Sequence, residues 1–275
     1  MAQSESQSTR NGSMNSPIRW AGSKRRLLPA ILEHMPKSYS RYIEPFCGSL
    51  CLYLHLPSSP AVVSDINPEL MHFYKMVRWR PRVVAERLFE WDMHQETYYS
   101  VRALSPHDLE PETRAARFLY LNRLCFNGVY RTNARGEFNV PRGTKVPAMP
   151  ELHELVRLAS RLRQAQLLES DFSETLSMAA PGDFIYLDPP YAGRDVRNRG
   201  EYGPGSFGVS DINRFHHCVS FASQKGAKIL ISYADVPVIR DAFSTWKISS
   251  LVVPRNVSGF ARGRGQAGEV FLRNY

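Results

Sequence analysis

The strongest constraint on the fold is a pair of short apolar segments near the start of the chain. Residues 41–45 (RYIEP) predict a strand that runs into a turn at Gly48, and residues 61–65 (AVVSD) predict a second strand that ends in an acid. Asn67 can cap a helix that begins at Pro68. A strand, a glycine turn, a helical segment and a strand ending in an acid are typical of the first half of a doubly wound α/β sheet.

A long interruption separates this half of the sheet from the second. From about residue 80 to residue 163 the chain offers no parallel strand and predicts helices around 82–91, 95–103, 112–125 and 151–163. Phe46 and Asp188 are 142 residues apart, whereas three further strand and helix units need only about 90 residues at ordinary lengths. The excess predicts an inserted, mainly helical domain at 80–163.

The sheet resumes after the insertion. Short apolar strands are predicted at 166–169, 183–188, 227–232, 246–252 and 269–273, with helices at 211–224 and 236–243. The last strand can pair antiparallel at the end of the sheet. We therefore expect one domain with a mixed sheet from residues 17–79 and 164–275. Residues 1–16 carry too few apolar side chains to pack, which predicts a flexible tail.

The charge of the chain indicates an anionic partner. The net charge is +9, and 28 arginines outnumber 7 lysines. Guanidinium groups make bidentate contacts with phosphates and guanine edges, which favours nucleic acid, although charge alone leaves DNA, RNA and an acidic protein open. No apolar span or signal peptide is found, so we expect a cytosolic protein that binds no membrane. Four cysteines without a CxxC pair predict reduced thiols and no metal site.

The turn at Gly48 and the acid at Asp65 predict a nucleoside cofactor. Backbone can approach a ligand closely at the glycine, and a carboxylate about twenty residues later can accept from ribose hydroxyls. NAD and S-adenosylmethionine sites share this pattern, and a single glycine at a strand end is often only a turn. The full GxGxxG motif is absent, which counts against a dinucleotide.

The tetrad Asp188-Pro189-Pro190-Tyr191 follows directly on the apolar strand FIYL and carries the strongest chemical signal. Ligands of open sheets bind at the strand ends. Two prolines remove two backbone donors, which leaves carbonyl oxygens and a carboxylate that accept hydrogen bonds beside an aromatic ring. Such a site fits an amino group on a planar base: Asp188 and the Pro189 carbonyl would accept its hydrogens, and Tyr191 would stack on the ring. The plain alternative is a Pro-Pro turn after a core strand.

Six motifs occur in a fixed order along the chain. They are RWAGSK (19–24), EPFCGS (44–49), SDIN (64–67), FNGVYRTNARGEFNVPRG (126–143), ESDF (169–172) and DPPY (188–191). With them the chain resembles the Dam-like DNA adenine-N6 methyltransferases of the D12 class, alpha group, from about Pro17 to the C-terminus. The resemblance implies a Rossmann-like S-adenosylmethionine-dependent methyltransferase fold with an inserted target-recognition domain. The family's second glycine of the first turn is Leu50 here.

The resemblance also implies roles for the cofactor motifs. Asp65 would bind the ribose, Asp171 would accept from the amino group of the cofactor's adenine, and Lys24 would lie near its carboxylate. Taken alone, these three residues would be assigned to helix capping or to a solvated helix start. The implied cofactor-binding set is Trp20, Lys24, Phe46, Gly48, Ser49, Asp65, Asp171, Phe172 and Asp188, and the implied catalytic set is Asp188, Pro189, Pro190 and Tyr191.

The segment 126–143 resembles the family's DNA-reading hairpin. Arg131 would reach a guanine edge, and the other basic residues would hold phosphates. Phe126 would wedge into the base stack, although a core position is slightly favoured because the preceding apolar helix face continues into it. The Gly-rich basic stretch 255–268 predicts either a mobile loop over the DNA backbone or an ordinary loop. The implied DNA-binding set is Phe126, Asn127, Arg131, Arg135, Asn139, Arg142 and Lys145.

These patterns together predict an enzyme that methylates the N6 atom of an adenine flipped out of a short duplex site, by direct attack and without a metal. GATC is the first guess for that site. The alternatives are cytosine-N4 methylation, a DNA-binding relative that has lost catalysis, and a dinucleotide oxidoreductase, which would leave DPPY and the basic insert unexplained. We expect a monomer near the nucleoid of a bacterial or phage-infected cell, with dimerisation on DNA left open. Repair marking, restriction protection and a phage role also stay open.

Overall fold

Strands and helices alternate along the chain. The computed structural model describes residues 14–191, 209–254 and 266–275. The strands are β1 (Arg41–Glu44), β2 (Ala61–Asp65), β3 (Ala165–Glu169), β4 (Asp183–Leu187), β5 (Lys228–Ala234), β6 (Lys247–Pro254) and β7 (Gln266–Arg273). They form one sheet in the order β3-β2-β1-β4-β5-β7-β6. β1 to β5 are parallel, and β7 is antiparallel to both β5 and β6. The predicted mixed, doubly wound sheet is confirmed.

The helices cover both faces of this sheet. They are α1 (Leu28–His34), α2 (Pro68–Trp79), α3 (Pro81–Phe89), α4 (Gln95–Ala103), α5 (Pro111–Leu124), α6 (Leu152–Leu162), α7 (Phe172–Ser177), α8 (Val209–Gln224) and α9 (Pro237–Ala242). Side chains of a strand alternate between the faces: Tyr42 and Phe184 enter one core, and their neighbours Ile43 and Ile185 enter the other. Burial on both faces explains why the central strands are continuously apolar.

The inserted helices lie between β2 and β3 in the chain. Asn67 caps α2, since its Oδ1 accepts from the Leu70 N–H at 3.0 Å. α2 contacts α5 and α6, and the cluster they form continues to the sheet. The insertion therefore shares a core with one face of the sheet, and its boundaries at residues 80 and 163 stay a prediction.

Some local predictions differ from the structure. The apolar segment 50–56 forms only a short 3-10 turn, Tyr53–His55, because the chain turns away at Leu56 in an extended conformation. Met14 is buried and donates its N–H to the Leu54 carbonyl at 3.4 Å, so packing begins inside the predicted tail. The predicted loop 255–268 falls largely outside the described residues. Within the described ranges, no helix is both long and apolar enough to cross a membrane.

The order of the strands creates a switch point at the centre of the sheet. β1 and β4 are neighbours, and the chain continues from β1 towards β2 but from β4 towards β5. The crevice outside such a pair is where doubly wound sheets bind ligands. The turn after β1 contains Gly48, and the turn after β4 is the DPPY tetrad. We call the edge formed by these two turns the strand-end corner.

Candidate active site at the strand-end corner

Gly48 holds the turn after β1 in a conformation that leaves no room for a side chain. Its φ is +41°, and a Cβ there would lie 2.7 Å from Cδ1 of Trp20. Its N–H donates to Oδ2 of Asp65 at 3.0 Å, and its carbonyl accepts from the Tyr74 hydroxyl at 2.7 Å. Ser49 Oγ donates to Ser23 Oγ at 3.2 Å. The three N-terminal motifs are thereby fixed to one another.

Leu50 replaces the glycine that the resembling family has at this position, and it keeps a glycine-like backbone. Its φ is +57° and its side chain is fully buried. The left-handed conformation costs a non-glycine residue about 1 to 2 kcal/mol. Burying a leucine side chain contributes about 1.5 to 3 kcal/mol, which offsets that cost. The turn therefore retains its shape with leucine in it.

Asp65 lies at the end of β2 with both carboxyl oxygens engaged. Oδ2 accepts from Gly48 N–H and Oδ1 from Asn67 N–H, each at 3.0 Å. Burial raises the pKa of Asp65 to about 6, against the opposing effect of these hydrogen bonds. The cap of α2 is Asn67, so Asp65 is not needed for capping. Each carboxylate oxygen has a second lone pair, which leaves acceptor capacity for a hydroxyl ligand.

Asp188 is joined to Lys24, which comes from the first motif. Lys24 Nζ lies 2.8 Å from Asp188 Oδ1, and Ser232 Oγ donates to the same oxygen at 3.1 Å. Burial alone would lower the pKa of Lys24, but Asp188 together with Tyr191, Glu269 and Tyr186 outweighs this effect, and the pKa is raised well above its ordinary value. Burial raises the pKa of Asp188, and Lys24 opposes this shift. Within the described residues both contacts end on Oδ1, so Oδ2 stays open to a ligand.

The rest of the tetrad is packed against β5. The ring of Tyr191 lies 4.9 Å from Lys24 Nζ and 4.9 Å from the ring of Tyr233. The Tyr233 hydroxyl donates to the Pro190 carbonyl at 3.4 Å. No described residue donates a hydrogen bond to the Pro189 carbonyl. The turn is therefore held by its second proline, while the first keeps a free acceptor.

Two buried oxygens at this corner are without a hydrogen-bond partner in the described part of the chain: Tyr191 Oη and Glu44 Oε2. Glu44 ends β1, and burial, reinforced by the nearby charges of Asp188 and Asp65, raises its pKa to about 8. Unpaired buried polar groups are costly unless a ligand or water satisfies them.

The ESDF motif (169–172) leads into α7, a helix that the sequence did not predict. Asp171 caps this helix, with Oδ1 accepting from Ser173 N–H at 2.9 Å. Arg214 of α8 reaches Asp171 Oδ1 at 2.6 Å, and its guanidinium lies 4.2 Å from the ring centre of Phe172. Phe172 in turn stacks on Phe46 at 5.4 Å. Arg214 therefore covers both the carboxylate of Asp171 and the ring of Phe172.

The segment 126–143 forms the predicted hairpin. Thr132 and Phe138 pair antiparallel, and Asn133 Oδ1 accepts from the N–H groups of Arg135 and Glu137 at 2.9 and 3.0 Å. Gly136 completes the turn with a φ of +80°. Arg135 is exposed at the tip of this hairpin.

The predicted DNA-binding residues differ in how free they are. Arg135 and Lys145 are exposed, whereas Arg131 donates from Nε to Asn139 Oδ1 at 2.8 Å, and Arg142 donates from Nη2 to the Met93 carbonyl at 2.8 Å. The slight preference for a core position of Phe126 is wrong. α5 ends at Leu124, and the ring of Phe126 is 46% exposed beside the left-handed residue Asn127.

Sequence reasoning assigned no role to several residues of the site. Ser232 and Tyr233 hold the DPPY turn, and their place at the carboxyl end of a predicted strand was a usable signal. Arg214 carried no such signal, because a helix residue that reaches across the fold has no local pattern.

The sequence of the chain matches a family of known proteins. A family model described as D12 class N6 adenine-specific DNA methyltransferase matches residues 20–257. The type II methyltransferase M1.LlaDCHI of Lactococcus lactis subsp. cremoris is 30% identical over 94% of each chain. The DNA adenine methylase of Serratia marcescens is 33% identical over 92% of this chain and 96% of its own. That of Escherichia coli (strain K12) is 31% identical over 92% of both. The chain belongs to the D12 class of N6 adenine-specific DNA methyltransferases.

Proposed function

We propose that this enzyme uses S-adenosylmethionine to methylate the N6 atom of an adenine that is flipped out of a short duplex site. The observation that carries the proposal is the meeting of three distant motifs at the strand-end corner, where Lys24 Nζ lies 2.8 Å from Asp188 beside the Gly48 turn. A nucleoside cofactor turn and an acceptor-rich DPPY turn on adjacent strands would bring a methyl donor next to an amine.

S-adenosylmethionine supplies a methyl group on a sulfonium, from which an incoming lone pair can displace it. Trp20, Gly48 and Ser49 would hold its methionine end, Asp65 its ribose, and Asp171 with Phe172 its adenine. Phe46 would pack beside them. The acids Asp65 and Asp188 would favour the positive sulfonium by simple charge complementarity.

Asp188 and Pro189 would orient the target amine. The exocyclic nitrogen of adenine is a weak nucleophile because its lone pair is delocalised into the ring. With Asp188 Oδ2 and the Pro189 carbonyl accepting its two hydrogens, the nitrogen approaches tetrahedral geometry and its lone pair faces the methyl group. The new N–C bond would form as the C–S bond breaks, the sulfur would leave as the neutral thioether with the C–S electron pair, and the surplus proton would pass afterwards to Asp188 or to water. Tyr191 would stack on the base.

The hairpin would keep the DNA in register while the base is out of the stack. Flipping costs a few kcal/mol, which contacts to phosphates and to the gap must offset. Arg135 and Lys145 are exposed for phosphates, and the exposed ring of Phe126 suits a wedge where the base leaves. We take GATC as the first site to test, with Arg131 reading a guanine and the reaction needing no metal.

Methyl transfer to duplex DNA tests the proposal. The protein is incubated with DNA and S-adenosylmethionine carrying a labelled methyl group, the DNA is digested, and the nucleosides are identified by mass spectrometry. The expected product is labelled N6-methyldeoxyadenosine in a short fixed sequence. Labelled N4-methyldeoxycytidine, or no incorporation despite tight DNA binding, would contradict it.

A further inference from the structure

The segment that carries Trp20 is held by the inserted helical domain. Asn122, near the end of α5, forms hydrogen bonds with both the N–H and the carbonyl of Arg19. Arg19 N–H donates to Asn122 Oδ1 at 2.8 Å, and Asn122 Nδ2 donates to the Arg19 carbonyl at 2.5 Å. The two residues are 103 positions apart in the chain. A helix of the inserted domain therefore fixes the backbone that leads into Trp20.

Asn122 is well placed for this contact because it is almost completely buried, at 1% exposure. A buried amide has to satisfy both its carbonyl and its NH₂ group. Here the N–H of Arg19 satisfies the carbonyl of the Asn122 amide, and the carbonyl of Arg19 satisfies its NH₂ group. Replacing Asn122 by an apolar residue would leave the N–H and the carbonyl of Arg19 without these partners.

The side chain of Arg19 strengthens the same junction. Its Nη1 donates to the carbonyls of Arg123 and Cys125, each at 3.1 Å, and so satisfies free acceptors at the end of α5. Gly128 has a φ of +67°, and a Cβ there would overlap the Cβ of Arg19. Arg19 is therefore closely fitted between α5 and the base of the hairpin.

Trp20 connects this junction to the strand-end corner. Its indole contacts Gly48 so closely that a Cβ at Gly48 would collide with it. The same indole stacks on Tyr130 of the hairpin segment, with ring centres 6.3 Å apart and planes at 21°. A shift of the Arg19 backbone would move this ring relative to the Gly48 turn.

We propose that Asn122 is a positioning residue for cofactor binding: it fixes Arg19 and thereby the indole of Trp20 against the Gly48 turn. Asn122 acts only through Arg19 and Trp20. The affinity for S-adenosylmethionine thus depends on a residue of the DNA-recognition domain. This inference rests on the proposed function, because it takes the Gly48 turn to be the cofactor site.

Calorimetric titration with S-adenosylmethionine tests the proposal in Asn122→Leu and in the milder Asn122→Asp, which keeps the acceptor but loses the donor. The matched control is Arg117→Met. Arg117 is also buried on α5, but it donates to the Val101 and Arg102 carbonyls within the inserted helices. Melting temperatures are measured for all variants, and the affinities are compared at a temperature at which each is folded.

Asn122→Leu is expected to weaken S-adenosylmethionine binding at least about tenfold, the size of one to two lost buried hydrogen bonds. Asn122→Asp should weaken it less. Arg117→Met should stay within about twofold of wild type even though it also lowers the melting temperature, since its hydrogen bonds stay within the inserted helices and do not reach Arg19. In a Trp20→Ala background, Asn122→Leu should have almost no further effect.

Additive losses in that double variant, or wild-type affinity in both Asn122 variants, would overturn the inference and leave the proposed function standing. An affinity loss in Arg117→Met that equals the loss in Asn122→Leu would also overturn it, because general destabilisation would then explain both. A wild-type protein that binds no S-adenosylmethionine would overturn the proposed function and this inference together.

Discussion

The strand-end corner and the hairpin 126–143 use their polar residues in opposite ways. At the corner, Lys24, Asp65 and Asp188 are bonded to groups from other motifs and are largely shielded from solvent. At the hairpin, Arg135 and neighbouring Lys145 project into solvent. Contacts between distant motifs therefore hold the residues of the chemical site in place, whereas part of the proposed DNA surface consists of charged side chains that can be removed one at a time. Removing a charged side chain should therefore cost structure and activity together at the corner, but only DNA affinity at the hairpin tip.

Two glycines in left-handed turns give the sharpest test of this difference. Gly48→Ala adds a Cβ that would meet Trp20 at 2.7 Å, whereas Gly136→Ala adds one with no neighbour within 4 Å. Backbone strain alone should cost Gly136→Ala about 1 to 2 kcal/mol of unfolding free energy. Gly48→Ala should cost about 2 to 5 kcal/mol, because overpacking is added to the strain, and it should also lose cofactor binding. Urea unfolding and calorimetry measure both quantities, and equal costs at the two sites would refute the comparison.

The buried acids of the corner predict how stability depends on pH. The pKa of Glu44 is about 8 in the folded protein and near 4.5 without the surrounding structure, so the folded state binds more protons between these values. Stability should then fall as the pH rises from about 4.5 to about 8, with Asp65 adding the same sign up to about pH 6. Glu44→Gln should flatten this slope by up to a few kcal/mol across the window.

Urea unfolding at pH 5, 7 and 9 measures that slope. Glu137→Gln removes an exposed carboxylate of the hairpin and is the matched control. It should leave the pH dependence of the wild type unchanged. If Glu44→Gln keeps the wild-type dependence of stability on pH, Glu44 does not bind the extra proton of the folded state.

Two arginines of the recognition region should respond differently to truncation. Arg142→Ala removes the bond to the Met93 carbonyl and should cost about 1.5 to 3 kcal/mol of stability. Arg135→Ala should leave stability unchanged, weaken DNA binding, and reduce the slope of log affinity against log salt by about one. Urea unfolding and DNA titrations at several salt concentrations measure these effects. A salt slope that falls only in Arg142→Ala would reverse the assignment.

The smallest expected effect concerns Arg214. Because its guanidinium binds Asp171 and covers Phe172, Arg214→Ala should tighten S-adenosylmethionine binding. The gain should not exceed about fivefold, since an exposed ion pair is worth at most about 1 kcal/mol. Arg87→Ala removes a similarly exposed pair with Glu90 on α3 and should change nothing. Weaker binding in Arg214→Ala would mean that the arginine supports the cofactor instead of competing with it.

Local chemistry explains what the sequence could predict. The strands follow from apolar runs, and the start of α2 follows from Asn67 and Pro68. In both cases the signal lies within a few neighbouring residues. The hairpin and the family membership followed instead from the resemblance and from the order of the motifs.

The failures came from contacts across the fold. The exposure of Phe126 depends on α5 ending two residues earlier, and α7 is too short to show a periodic pattern. The Arg214–Asp171 ion pair and the Asn122–Arg19 contact join residues 43 and 103 positions apart. Such pairs depend on how elements pack, which the local sequence does not encode.

We propose above that Asp188, at the turn stiffened by two prolines, orients the amine that attacks the sulfonium methyl. It is tested most directly in Asp188→Ala by measuring single-turnover methyl transfer and S-adenosylmethionine affinity on the same folded preparation. We expect the rate of methyl transfer to fall about a hundredfold or more, as is typical when a group that stabilises a transition state is removed. The affinity for S-adenosylmethionine should be largely retained. Transfer at the wild-type rate would contradict it.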